Sequence, residues 1–366
     1  MVRKDETRIT GIHDLKGKTV GTLAGAVAHD LLTRIGSVDI RSYSAAWPYE
    51  DLALGRIDAV FLDTPITVYY GKPDQRLKYA GPPEGEGFYG IALKKSDGEL
   101  KQVIDSVIED LLKSGELRRM YEKWGLWDPS QSKLFTYGER SGAGEQFRSE
   151  SSDAPLYSFI PSLLKSAGIT VFLSVLSMAL AIALGLALAF VRLYGPPAAR
   201  IASTTYIEVY RGTPLLIQLF ILYYGLPNVG ITLSPLAAAI IGLGMNYAAY
   251  EAEVYRGGIE AVSRGQMEAA LSLGMPRLLA LRRVIFPQAF RISLPAVTND
   301  FIALFKDSSI VSVIAMVELT KTYGILAATT LRYFELGIIV ALLYFGMSYP
   351  LSVLARRLER KLKGLK

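Results

Sequence analysis

The chain of 366 residues has no cysteine and only two histidines, His13 and His29. Thiol catalysis and disulfide bonding are excluded, and a histidine-rich metal site is not expected, so no catalytic residue, metal or cofactor is read from the sequence. The first residues, Met1-Val2-Arg3-Lys4-Asp5-Glu6, are charged with no apolar core behind them, and no signal peptide is read there. A phosphate-binding loop is also missing. Gly11 to Thr19 imitates one, but five residues separate Gly11 from Gly17 where the motif requires four. Ser263-Arg264-Gly265-Gln266 has a faint likeness to an ATPase signature without a nucleotide fold around it, so any ATP-driven motor is expected on another chain. The excess of six positive charges goes with basic residues beside apolar spans and not with nucleic acid.

Charge itself is absent over long stretches. Gly212 to Tyr250 carries none, and neither does Ala167 to Val191. Apolar residues make up 51% of the chain, yet 20% is charged, a mixture that implies two parts. Residues 1–127 alternate like a soluble domain, 128–161 form a linker rich in Ser, Gly and charge, and 162–366 form a membrane domain. A helix needs about 20 apolar residues to cross a bilayer. The expected spans are Ala167 to Val191, Ser203 to Leu226, Leu236 to Tyr255, Ile292 to Ile314 and Phe334 to Leu354. Arg192 and Arg200, the connector 256–291 and the basic tail from Arg356 mark the cytoplasmic side. The first part and the charge-free Pro227 to Ser234 are therefore expected outside.

Within the connector, Arg256, Arg264, Arg277, Arg282, Arg283 and Arg291 stand against Glu260 and Glu268. Glu268 to Leu273 is a run of helix formers stopped by Gly274 and Pro276, which predicts a short helix able to sit in a partner's groove. Glu268-Ala269-Ala270, then Gly274 and Pro287, resembles the EAA loop of ABC importer permeases, with Val284 and Phe286 in place of the usual isoleucine and leucine. Arg211-Gly212-Thr213-Pro214-Leu215, Ala249 to Gly258 and Leu304 to Ser309 narrow the resemblance to permeases of the polar amino-acid (His/Glu/Gln/Arg) uptake family, from about Ser162 to the end. The resemblance implies an all-α type I ABC importer permease fold of about five transmembrane helices in the cell (inner) membrane. It also implies that Glu268, Ala269, Ala270 and Gly274 couple the chain to separate ABC ATPase subunits, and that a second permease chain completes the pathway.

The first part alternates strands and helices. Thr19 to Leu23 reads as a strand opening into Ala24-Gly25-Ala26 and a helix to Arg34, and Ile57 to Leu62 as a second strand, so a parallel α/β sheet is expected. Ligands bind at the carboxyl ends of such strands. The amides after Gly25 suit a carboxylate and Asp63 suits an ammonium group, whereas Asp63-Thr64-Pro65 equally suits a helix start. Ile12 to Gly21, Gly55 to Val60 and Gly115 to Gly125 resemble family 3 solute-binding domains, periplasmic-binding-protein-like, over about Arg8 to Trp127. That resemblance implies that Asp63 holds a substrate ammonium. The chain departs from it with Ala26 where the family has threonine or serine. It also lacks most of the first lobe, including the carboxylate-pairing arginine. One partial lobe is therefore expected, Asp63, Gly25 and Ala26 being its substrate residues. Either a start placed too far downstream or a vestigial lobe accounts for it.

Inside the spans, ionisable residues are costly, about 2.5 to 3.5 kcal/mol at a helix centre. Asn299 and Asp300 are the candidates for a polar path, Lys306 and Asp307 mark a boundary, and Glu253 is spaced to pair with Arg256. Gly212-Thr213-Pro214 predicts a break beside Arg211 facing the pathway, with a packing kink as the alternative. The function expected is a permease subunit of an ATP-driven importer of polar amino acids, with a fused binding lobe. The alternatives are a ligand-gated channel, which should carry a carbonyl filter such as Thr-Val-Gly-Tyr-Gly and shows none, and a membrane-tethered amino-acid sensor.

Overall fold

The computed structural model describes residues 1–24, 26–43, 48–85, 89–128, 131–133 and 154–363, without the side chains of 358, 359 and 361–363. Gly25 and most of the expected linker lie outside the described residues. The chain divides into two units, Met1–Ala154 with Ala328–Thr330, and Pro155–Ala327 with Leu331–Lys366.

In the first unit, Thr19–Leu23 (β2) lies between Asp39–Tyr43 (β3) and Ala59–Val60 (β4), parallel to both, and Val2–Arg3 (β1) pairs antiparallel with Leu77–Lys78 (β5). Side chains alternate across the central sheet as its pleat requires. Val20 and Ala59 join a core with Leu15 and Leu32, whereas Val60 joins one with Leu52, Ile57 and Leu77. Gly21 faces that second core, and a Cβ there would stand 2.7 Å from Ile57 and 2.8 Å from Pro48. The helices are Val27–Ile35 (α1), Tyr49–Ala53 (α2), Thr64–Ile66 (α3), Gly98–Lys113 (α4) and Glu116–Lys123 (α5). The expected strand over 57–62 shortens to two residues, although Asp58 and Phe61 still donate backbone bonds to Thr19 and Gly21. β3, with its Asp, Arg and Ser, was not expected.

The second unit is helical. Ile160–Tyr194 (α6) and Pro197–Gly212 (α7) are followed by Leu215–Phe220 (α8), which runs on through a π turn and a 3-10 turn to Val229. Then come Pro235–Glu260 (α9), Arg264–Ser272 (α10), Arg277–Ala280 (α11), Phe286–Asp307 (α12), Leu319–Thr330 (α13) and Tyr333–Lys363 (α14). Segments 156–194 and 333–357 are long and apolar enough to cross a membrane. All five expected spans fall on helical structure, but the second is broken and the fourth ends in a 3-10 turn, Ser308–Ile314. α13 is additional, and it forms because the Glu318 carboxylate accepts the N–H groups of Thr320 and Lys321 at its start.

Between α6 and α9 the packing is close, because small residues face each other as membrane helices need. A Cβ at Gly185 would fall 2.6 Å from that of Glu251, and one at Gly244 would fall 2.6 Å from Leu180. Small buried residues of α6, among them Ser166, Thr170, Ser177 and Ala181, recur at helical spacing.

Candidate functional site

The break predicted at Gly212-Thr213-Pro214 is present. α7 ends at Gly212, Thr213 is extended, and α8 starts at Leu215. Proline and the extended residue before it release backbone carbonyls that nothing in the helix can satisfy. Gln218, buried one turn into α8, answers them. Its Nε2 stands 2.9 Å from the Tyr210 carbonyl, 3.1 Å from that of Thr213 and 2.8 Å from the Thr213 hydroxyl. Asn246 of α9 donates to the Gln218 oxygen at 3.0 Å and completes the network.

Beside the break lies a cavity of about 520 Å3. Its walls are the segment 211–215, the α9 residues Asn246, Tyr247 and Tyr250, and Asp300, Ala303 and Asp307 of α12. Arg211 stands over the Tyr250 ring, 5.7 Å from its centroid, and forms no ion pair among the described residues. Tyr247 donates to Asp307 at 2.7 Å. The cavity therefore offers a cation, two carboxylates and an aromatic wall, a set that can hold a small molecule bearing both an anionic and a cationic group.

Asp300 thus lines the cavity, whereas its neighbour Asn299 is exposed and does not, since successive helical residues face about 100° apart. Asp307 is a wall residue as well as the last residue of α12. Gln218, Asn246 and Tyr247 were not singled out from the sequence. The signal available was that Gln218 and Asn246 are amides inside a charge-free run. Below the cavity residues of α9, Glu253 pairs with Arg256 at 2.8 Å as the spacing suggested, and also with Arg192 of α6, while Arg256 reaches Glu260 at 2.6 Å.

α10 spans the EAA-like residues. Glu268 and Ala269 are exposed, but Ala270 is buried against the chain, so of the two alanines only Ala269 faces outward. Gly274 ends the turn with φ +79°, in the left-handed region that disfavours side chains.

In the first unit, Asp63 occupies the position before α3 without capping it. Its carboxylate instead accepts the Tyr89 hydroxyl at 3.0 Å. Desolvation, with the Asp63 carboxylate second, pushes the Tyr89 hydroxyl up to about 12. Ala26 is the residue before α1 and offers no side-chain cap.

Residues 181–364 match the family described as binding-protein-dependent transport system inner membrane component. The chain is similar to the probable amino-acid permease protein YxeN of Bacillus subtilis, 39% identical over 56% of this chain and 93% of that protein. It is 36% identical to the glutamine transport system permease protein GlnP of Escherichia coli K12, covering 95% of that protein. A solved structure described as an amino acid ABC transporter with histidines matches with a TM-score of 0.54 and 40% identity, over 56% of this chain and 96% of the other.

Proposed function

The chain belongs to the family of binding-protein-dependent transport system inner membrane components, and from that premise we propose that the cavity beside the α7–α8 break is where an amino acid rests as it crosses the membrane. The chain is the permease subunit of an amino-acid ABC importer, an inner-membrane protein and not an enzyme. ATP is hydrolysed by a separate subunit, and a second permease is part of the complex.

One observation carries the cavity reading. Arg211 meets Asp300 and Asp307 around one space, so a substrate carboxylate has a guanidinium to face and a substrate ammonium has carboxylates. The break supports it, because non-helical backbone at membrane depth is tolerated where it lines a cavity or is covered by protein. α10 serves as the coupling element, with Glu268 and Ala269 toward the ATPase and Gly274 as its joint. The first unit serves as a partial binding lobe outside the cell, with Asp63 toward the substrate ammonium and the helix start after Gly25 and Ala26 toward the carboxylate; α10 and the C-terminus face the cytoplasm.

Reconstitution with the ATPase in proteoliposomes tests the cavity. Arg211→Ala and Asp307→Asn are each expected to lower uptake of labelled amino acid by about tenfold or more, the loss of a charge-assisted hydrogen bond. Unchanged uptake in both variants would place the site elsewhere.

A further inference from the structure

Glu251 does not line the cavity. It follows Tyr250 on α9, is completely buried, and neither of its carboxylate oxygens makes a hydrogen bond. The Tyr255 hydroxyl, one turn along the helix, lies near without completing one. On the α6 side Gly185 leaves the space beside it free of a side chain, since a Cβ there would fall 2.6 Å from that of Glu251. Asp300 of α12 lies within electrostatic reach of both Glu251 and Tyr255, and Asp300 is a wall of the cavity.

Among the described residues, no lysine, arginine or histidine forms an ion pair with Glu251, Asp300 or Asp307. Arg211 is the cation of the cavity wall. A buried carboxyl group is expensive unless a partner reaches it. A neutral amino acid brings one charge of each sign and leaves the acidic side in excess. A second cation on the substrate's side chain corrects the imbalance on the Asp300 side.

We propose that Glu251 is a positioning residue that acts through Asp300 and makes the cavity selective for amino acids with a cationic side chain. The proposal rests on the cavity being the substrate site. L-Arginine and L-citrulline test it, because they share length and shape and differ in side-chain charge. Their binding is measured by titration of the full chain in lipid nanodiscs, carrying Asp63→Ala so that the first unit stays silent.

The expected result is arginine binding about tenfold tighter than citrulline, the scale of one charge-assisted contact. Glu251→Gln should bring the two affinities together by weakening arginine alone, and Glu251→Asp should restore part of the preference. Equal affinities in the unsubstituted chain, or a Glu251→Gln variant that weakens both ligands alike, would overturn the proposal while leaving the cavity as an amino-acid site. Binding of neither ligand would overturn both. If Glu251→Gln does not assemble, the ratio in the Asp63→Ala chain and in Glu251→Asp still decides.

Discussion

Carboxylates in this chain differ chiefly in which donor reaches them. Asp63 receives a phenol, Glu253 receives arginines from two helices, and Glu251 has only the Tyr255 hydroxyl close by. Glu6 is held on both of its oxygens. The Arg8 guanidinium meets its two oxygens at 3.1 and 3.0 Å, and the Arg8 backbone N–H adds a bond of 2.7 Å. These bonds, the side-chain ones first, hold the Glu6 carboxyl down at about 2. Its folded value lies below the ordinary one, so its contribution to stability is complete above the ordinary carboxylate range and is lost as pH falls through that range toward about 2. Glu6→Gln is expected to reduce the acid sensitivity of the first unit. The thermal unfolding of that unit at about pH 6 and about pH 3, compared between the two proteins, checks it; an equal drop in both would remove Glu6 from the account.

Helix interruption was easier to read than what stabilises it. Gly212-Thr213-Pro214 announces a break because proline lacks the N–H and forces its neighbour extended. Gln218 is invisible in that role, since its acceptors are set by the shape of the break and its oxygen is held by Asn246 on another helix. Gln218→Leu leaves the part-buried Tyr210 and Thr213 carbonyls without that donor and Asn246 without its acceptor, although Asn246 still approaches Tyr210 at 3.4 Å. A loss of about 1–3 kcal/mol is expected, read as a lowered unfolding temperature in nanodiscs; a variant as stable as the parent would show that the carbonyls find other donors. The same contrast runs through the other elements. Thr19–Leu23 was legible from its β-branched alternation. Asp39–Tyr43 was not, because its pairing with β2 overrides a mixed sequence. α13 went unread because its start depends on the Glu318 cap rather than on any apolar period. Asp300 was legible as an ionisable residue in an apolar span, but its separation from Asn299 required the helical phase of α12.

At the scale of the whole molecule, the membrane unit was legible from charge-free runs and the EAA-like connector, and the family match covers residues 181–364. The match does not reach the first unit. α10 keeps Ala269 outward, and Leu273 just after it is 80% exposed, the face proposed to meet the ATPase. Ala269→Trp is expected to abolish stimulation of the partner's ATP hydrolysis by amino acid while binding of amino acid to this chain persists; stimulation at the parental level would show that the contact lies elsewhere on the connector. The amide clasp around residues 210–218 has a last consequence. Because Gln218 and Asn246 hold the gap open with bonds of their own, the pocket's shape is settled once, when the chain folds. If the cavity is the proposed resting place, an arriving amino acid spends little of its binding energy on arranging walls, so its affinity there is set by the charges and rings already in place.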